Sequence, residues 1–201
     1  MAQELAPPKR RPQRRDRILA AAVGLFHERG YHATGMDEIG AAAGITGPGV
    51  YRHFASKEEI LETLVRSRGE AVVAEADRIA RSDLPPLEAL DALAHSYVLG
   101  IVANPSLAVV AMYERHTLSA ATRAWIDRKE RRNIEQWVDV VRRVRTDLTE
   151  AEARVLVHAA LTLGVAICNY ESGLDEASLV AITHPMVMTA ILGPAPAPSR
   201  A

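Results

Sequence analysis

Residues 30–59 read GYHATGMDEIGAAAGITGPGVYRHFASKEE, and this stretch decides the fold. Met36–Ala43 has the length of a short helix of about two turns. Gly44 then offers the positive-φ position that ends it, and Ile45 is an apolar residue set in the turn. A second short helix follows from Pro48 to Phe54, with Thr46 or Gly47 as its N-cap. Pro48 lies in its first turn, where a missing N–H is tolerated. The small residues Gly40 and Ala43 let the two helices approach closely. Ile39, Ile45, Val50 and Phe54 then share a core with Leu25 and Phe26 of the preceding helix. Two short helices joined by a glycine-containing turn form a helix-turn-helix, whose second helix can enter the major groove of DNA.

Helical geometry says which side chains of that second helix face outward. With Val50 and Phe54 inward, Pro48 and Arg52 point most nearly the other way, flanked by Gly49 and Tyr51. Arg52 can give two hydrogen bonds to guanine or bind a phosphate, and the Tyr51 hydroxyl can bond a phosphate oxygen. Gly47 and Gly49 allow close backbone approach but cannot read a base, so sequence selection is expected to rely partly on DNA shape. Ser56 and Glu59 have the spacing of a capping box that opens the next helix, and Lys57 holds its first position. A cation there opposes the helix dipole by about 0.3–1 kcal/mol. A phosphate at that helix start would reverse the penalty. Thr34 is expected to make a similar phosphate contact, and His53 either touches phosphate or packs at the helix edge.

Working outward, Ile18, Leu19, Ala22, Leu25 and Phe26 repeat at helical spacing and stop at Gly30. Lysine and arginine number 24 against 25 acids in the chain, but residues 1–57 hold nine basic side chains against five acidic ones. Six of the nine lie in Lys9–Arg17, as a solvated tail or as an arm reaching DNA. A basic head on an acidic body points to a polyanionic partner for the head.

The remainder reads as helix. From Ser106 to Leu163 there is neither Gly nor Pro, and no run alternates as a strand would. Ile134, Trp137, Val138, Val141 and Val144 repeat late in a helix of about 25 residues from Ala121. Thr149 and Glu152 form a capping box opening another helix through Tyr170. The chain is therefore all-α, with about nine helices. With 48% hydrophobic residues in 201, it can bury a core, which excludes disordered and collagen-like classes. Cys168, the one cysteine, excludes a disulfide framework and reads as a small buried hydrophobe. The uncharged stretches Ala92–Tyr113 and Ala177–Ser199 are broken by Asn104-Pro105 and His184-Pro185, and Val155–Tyr170 is too short to span a bilayer. No membrane partner is expected, and a reducing cytoplasm is the natural setting. No Gly-rich phosphate loop, metal motif or nucleophile motif occurs, so no enzyme, cofactor or metal is expected. A buried Glu114–His116 pair is the one enzymatic alternative left open.

Gly30-Tyr31, Ala33-Thr34, Met36-Asp37-Glu38-Ile39, Ala43-Gly44-Ile45 and above all Val50-Tyr51-Arg52-His53-Phe54-Ala55-Ser56-Lys57-Glu58-Glu59 resemble the DNA-binding domain of the TetR family of transcriptional regulators. The resemblance covers residues 14–65. Gly35 departs from it, standing where a capping Ser or Thr is usual, and so does Gly47-Pro48-Gly49, in place of a polar-Gly-Thr type of sequence. The resemblance implies a flexible basic tail over 1–13, a helix-turn-helix domain over 14–58, an effector-binding and dimerisation domain over 59–193, and a flexible tail over 194–201. It implies a homodimeric repressor on a palindromic operator of double-stranded DNA, touching it through Thr34, Thr46, Gly47, Pro48, Gly49, Tyr51, Arg52, His53 and Lys57. It also implies release by a hydrophobic or amphipathic small molecule, acyl-CoA-like for instance. Tyr97, Tyr113, His116 and Trp137 are the candidate cavity residues. Arg128–Arg132 reads as a solvated face or as an anion site for such an effector. Val155, Ala159, Leu163 and Ile167 on the penultimate helix, with Ile182 and Ile191 on the last, are the candidate dimer interface. The alternative is a DNA-binding or interaction protein on the same fold without ligand control.

Overall fold

A computed structural model describes residues 13–167, 170 and 172–193. Among these all regular structure is helical: α1 (Arg14–Arg29), α2 (Met36–Ala42), α3 (Gly47–Tyr51), α4 (Lys57–Ala80), α5 (Pro86–Val102), α6 (Pro105–Tyr113), a 3-10 turn (Glu114–Thr117), α7 (Ala120–Val144), α8 (Glu150–Ala166) and α9 (Glu176–Leu192). The chain divides into a compact unit ending at Leu61 and a second beginning at Glu62. The expectations for Lys9–Pro12, Cys168 and residues 194–201 lie outside the described residues.

The first unit is built on the apolar stripe of α1, where Ile18, Ala22 and Phe26 are buried. Ile39, Val50, Phe54, Ile60 and Leu61 of the same unit are buried too, while Leu25 and Ile45 are half-buried at the margin. Gly30 and Gly44 take φ of 83° and 70°, as the ends of α1 and α2 require. Gly40 sets the helix-turn-helix spacing. A Cβ there would stand 3.1 Å from the Gly47 nitrogen, the Ile45 carbonyl oxygen and Val50 Cγ2. Gly35 cannot cap α2 with a side chain. Its N–H instead donates to the Glu38 carboxylate at 2.8 Å, and Glu38 also pairs with Arg29 at 3.0 Å. α3 is shorter than the spacing predicts because Arg52 caps it and both His53 and Phe54 bond back to the Val50 carbonyl.

The second unit packs Leu90, Leu93, Val98 and Ile101 of α5 against Trp137 and Val141 of α7, Val157 of α8, and Val187 and Ile191 of α9. Burial of this apolar surface is its main driving force. Each later helix has its own start signal: the Ser119 hydroxyl accepts from the Thr122 N–H, Thr149 and Glu152 form the expected box, and Asp175 accepts from the Ser178 N–H. Ser119 and Thr122 also donate to one Glu62 oxygen, at 2.5 and 2.6 Å. These two hydroxyls hold the Glu62 carboxyl below its ordinary range, partial burial opposing them.

Two expectations are corrected. α8 ends at Ala166, and Tyr170 stands outside it, 73% exposed. His184-Pro185 does not break the last helix, since α9 runs through Pro185. Proline removes one helical hydrogen bond. Here the lost bond belongs to the carbonyl of the exposed Ala181, where water can take it, while Thr183, Val187 and Ile191 anchor the other face. Among the described residues no single helix is long and apolar enough to cross a membrane.

Candidate functional site

The outer surface of the first unit carries the DNA-facing candidates. Thr46, the α3 N-cap, is exposed and makes no cap bond with its side chain; its hydroxyl oxygen lies 3.3 Å from where a Cβ at Gly49 would stand, and Pro48 is exposed beside it. Tyr51 is 56% exposed, an unusual fraction for an aromatic residue in so small a unit. Arg52 is exposed beside it, and His53 is half-buried at the edge. Arg15 comes from α1 to brace this edge, its guanidinium 4.2 Å above the Phe54 ring and bonded to the His53 carbonyl at 3.3 Å. Among the described residues, Arg14, Arg17 and Arg52 are further exposed cations of the unit.

Three candidates are used differently from the sequence reading. Thr34 is 2% exposed, and its hydroxyl donates to the Gly30 carbonyl at 2.9 Å. It fastens the end of α1 instead of meeting phosphate. Lys57 turns inward. Its ammonium donates to the carbonyls of Tyr31 and Thr34 at 2.6 and 2.7 Å and lies 4.4 Å over the Tyr31 ring. The cation at the start of α4 therefore clamps the loop between α1 and α2, which offsets its unfavourable place on the helix dipole. Gly47 is buried, and an Asp37 carboxylate oxygen occupies the place of its missing Cβ. It offers DNA no surface, whereas Gly49 is only half-buried.

The second unit contains two adjoining chambers of about 240 and 220 Å³ that share Arg68, Val72, Tyr97 and Asn133. Trp137 lines the first and Trp125 the second. The Tyr97 ring meets Trp137 edge-on at 5.9 Å, and its hydroxyl donates to the Leu161 carbonyl. Tyr97 and Trp137 thus line these chambers, whereas Tyr113 and His116 do not. α6 ends at Tyr113 and the chain tightens into the 3-10 turn, which leaves Tyr113 57% exposed and His116 exposed. His116 Nδ1 bonds the Tyr113 carbonyl at 2.9 Å, so the pairing with Glu114 is not the buried one expected. Arg68, Trp125 and Asn133 were not among the candidates, and Lys129 stood there only within the run Arg128–Arg132. The signal for the last three is the series Trp125, Lys129, Asn133, Trp137, each four residues from the next and so on one face of α7. That series also divides Arg128–Arg132: Lys129 and Glu130 line the second chamber, while Arg128, Arg131 and Arg132 are exposed.

On α8 and α9 an apolar stripe is left uncovered. Val155 is 68% exposed, Leu163 42%, Ile182 52% and Met186 44%, with Ala159 exposed between Val155 and Leu163. Ile167 is half-buried. Ile191 is fully buried in the intramolecular core and drops out of the interface candidates, because it lies on the inner face of α9 with Val187.

A small three-helix head with a helix-turn-helix, followed by a larger all-α body with apolar chambers open to one side, is the architecture of a two-domain helix-turn-helix regulator. Residues 18–64 match the family described as bacterial regulatory proteins, tetR family. The head belongs to that family, and the whole chain has the fold of its regulators. The chain is 33% identical over 129 residues to the HTH-type transcriptional repressor KstR2 of Mycobacterium tuberculosis, a match covering 64% of each protein. It is 52% identical over 50 residues to the HTH-type transcriptional activator FasR of Mycolicibacterium smegmatis, 25% of this chain and 23% of FasR. The solved structure of the ketosteroid transcriptional regulator KstR2 of M. tuberculosis superimposes with a TM-score of 0.78 at 25% identity, covering 92% of this chain and 96% of that one. AibR, solved in complex with isovaleryl coenzyme A and operator DNA, gives 0.71 at 22% identity, covering 87% and 97%.

Proposed function

We propose that this protein is a ligand-responsive transcriptional repressor that binds a palindromic operator as a homodimer. The observation that carries the reading is the outward pair Tyr51 and Arg52 on a helix-turn-helix whose core and close approach at Gly40 hold them in place. The contacts assigned to DNA are Thr46, Pro48, Gly49, Tyr51 and Arg52, with His53 at the edge. Most of these meet backbone or sugar, so deformability of the operator supplies part of the discrimination. The apolar stripe Val155, Ala159, Leu163, Ile182 and Met186 pairs with its copy in a second subunit across a two-fold axis, which matches two heads to two half-sites.

The chambers around Tyr97 and Trp137 receive a hydrophobic or amphipathic effector. The effector releases the operator by favouring a conformation whose head spacing misfits it, at a coupling of about 1–3 kcal/mol. Repression, as against activation, is favoured by the longer match to KstR2. An acyl-CoA-like effector is favoured by the AibR complex with isovaleryl coenzyme A.

A gel shift with the DNA upstream of the protein's own gene, at physiological salt and with nonspecific competitor, tests the reading. A discrete shift that depends on a palindrome is expected. Binding without palindrome preference, or a monomer that ignores duplex DNA at low salt, overturns it.

A further inference from the structure

The charges around the two chambers are unevenly satisfied. Four charged side chains line them: Arg68, Glu75, Lys129 and Glu130. Both carboxylates are engaged by arginines that do not line the chambers, Glu75 by Arg78 at 2.6 Å and Glu130 by Arg115 at 2.8 Å. Lys129, a half-buried residue, has no carboxylate partner among the described residues, and its ammonium lies 5.4 Å over the Trp125 ring. One turn along α7, Asn133 is only 9% exposed, and its side-chain oxygen has no hydrogen-bond partner among the described residues. A buried acceptor without a donor is costly, and a lysine at a cavity wall with no carboxylate beside it leaves its charge available to an anion.

We infer that the cavity takes an amphipathic organic anion, its negative group on Lys129 with Arg68 and a hydroxyl close to that group on Asn133. The inference rests on the reading of the second unit as an effector domain and names the class of its effector. Positions four apart on a helix are neighbours, about 5–6 Å between Cβ atoms. The donor therefore sits within a few bonds of the anion. At the ~30 Å³ that a water molecule occupies in the liquid, the two chambers together hold about fifteen non-hydrogen atoms. Their apolar walls, among them Val72, Leu93 and Trp137, suit an unbranched or flat hydrocarbon body. The negative group has two chemical sources: a free carboxylate with the hydroxyl on the same chain, or a phosphate of a coenzyme A thioester, whose near hydroxyl is then that of the pantoate arm and whose remaining atoms lie beyond the two chambers.

The chain has two tryptophans, and both line the cavity, so the intrinsic fluorescence of the full-length protein reports binding without DNA. The probes are 3-hydroxydodecanoate, dodecanoate, dodecanol, dodecylamine and 3-hydroxydodecanoyl-CoA, each below its aggregation threshold. A saturable change is expected with the hydroxy acid tightest, dodecanoate next, and the alcohol and amine at least about tenfold weaker than dodecanoate. Lys129→Met brings dodecanoate to the level of dodecanol, Lys129→Arg keeps the preference, and Asn133→Leu removes the advantage of the hydroxyl. A thioester that binds more tightly than the free hydroxy acid assigns the charge to the coenzyme phosphates, and the reverse assigns it to a carboxylate. Alcohol or amine binding as tightly as the acid, or no saturable change with any probe, overturns the inference. The gel shift repeated with the same probes separates it from the regulator reading. An acid that binds but leaves DNA affinity unchanged refutes ligand control and keeps the anion site. Release of DNA by dodecanol alone does the opposite.

Discussion

Gly164→Ala is the sharpest test of how the cavity wall is held. Inside a helix this substitution ordinarily stabilises, by about 0.5–1 kcal/mol. In α8 the added methyl would stand 2.6 Å from Tyr97 Cε1 and 3.1 Å from Ile101 Cδ1. Carbon atoms pack at about 3.5–4.0 Å, so the tyrosine ring has to move by about 1 Å. That displacement strains the hydroxyl bond to the Leu161 carbonyl, which contributes about 1 kcal/mol. Overpacking adds about 1–3 kcal/mol. The balance is a loss of about 2 kcal/mol, and for a chain of this size Tm falls by about 4–8 °C. Thermal unfolding followed by circular dichroism measures it, and tryptophan emission reports the shifted Tyr97–Trp137 contact. In a Tyr97→Ala background only the terminal methyl of Ile101 stands close, and it can turn into the space the ring leaves, so the same Gly164→Ala change should raise Tm by about 2 °C. A rise in both backgrounds would refute the claim that the missing side chain at 164 exists to seat Tyr97.

Three further outcomes are expected. Arg52→Ala and Tyr51→Phe weaken binding to operator and to unrelated DNA, and the arginine change lowers the salt slope by about one. Lys57→Met instead lowers the Tm of the protein with the slope unchanged, and a slope lowered by about one would mean that Lys57 meets phosphate after all. Ile182→Arg, on the exposed stripe, gives a monomer in sedimentation and weakens operator binding, whereas Ile191→Ala lowers stability by about 2–5 kcal/mol; a dimeric Ile182→Arg protein would rule out that stripe as the interface. Glu62→Gln lowers stability at pH 7 by about 1 kcal/mol, less than the ~1.5–3 kcal/mol of buried hydrogen bonds to a charged acceptor because the group is half-exposed. Because the hydroxyls of Ser119 and Thr122 depress the folded-state pKa, the stabilisation is complete above the ordinary value of 4.5 and is lost as pH falls through the depressed one. Denaturant titrations should show the native and Glu62→Gln proteins converging in acid, and a gap that is constant with pH contradicts the assignment.

The head was legible because its signals are local. Gly30 and Gly44 mark positive-φ positions, Gly40 marks a close approach, and Val50 and Phe54 are one turn apart, so their inward direction fixes Tyr51 and Arg52 outward. The roles of Thr34 and Lys57 were not legible, since both bond backbone carbonyls around the loop between α1 and α2. A backbone carbonyl looks the same whatever the sequence, and only the path of the loop brings Gly30 or Tyr31 to these side chains.

The body shows the same division more strongly. Periodicity alone gave α7 its length and direction, and the capping residues of α8 and the glycine after α9 stand in the sequence. Which side of α7 faces a cavity depends on how α4 and α5 lie beside it, so the spacing of Trp125, Lys129, Asn133 and Trp137 acquires meaning only in three dimensions. α9 is the extreme case. Its middle and end, from Leu179 to Leu192, carry no Lys, Arg, Asp or Glu, so no charged side tells Ile182 from Ile191. Burial of one stripe against α5 and α8, settled by packing shape instead of by polarity, put Ile191 inside and left Ile182 in solvent.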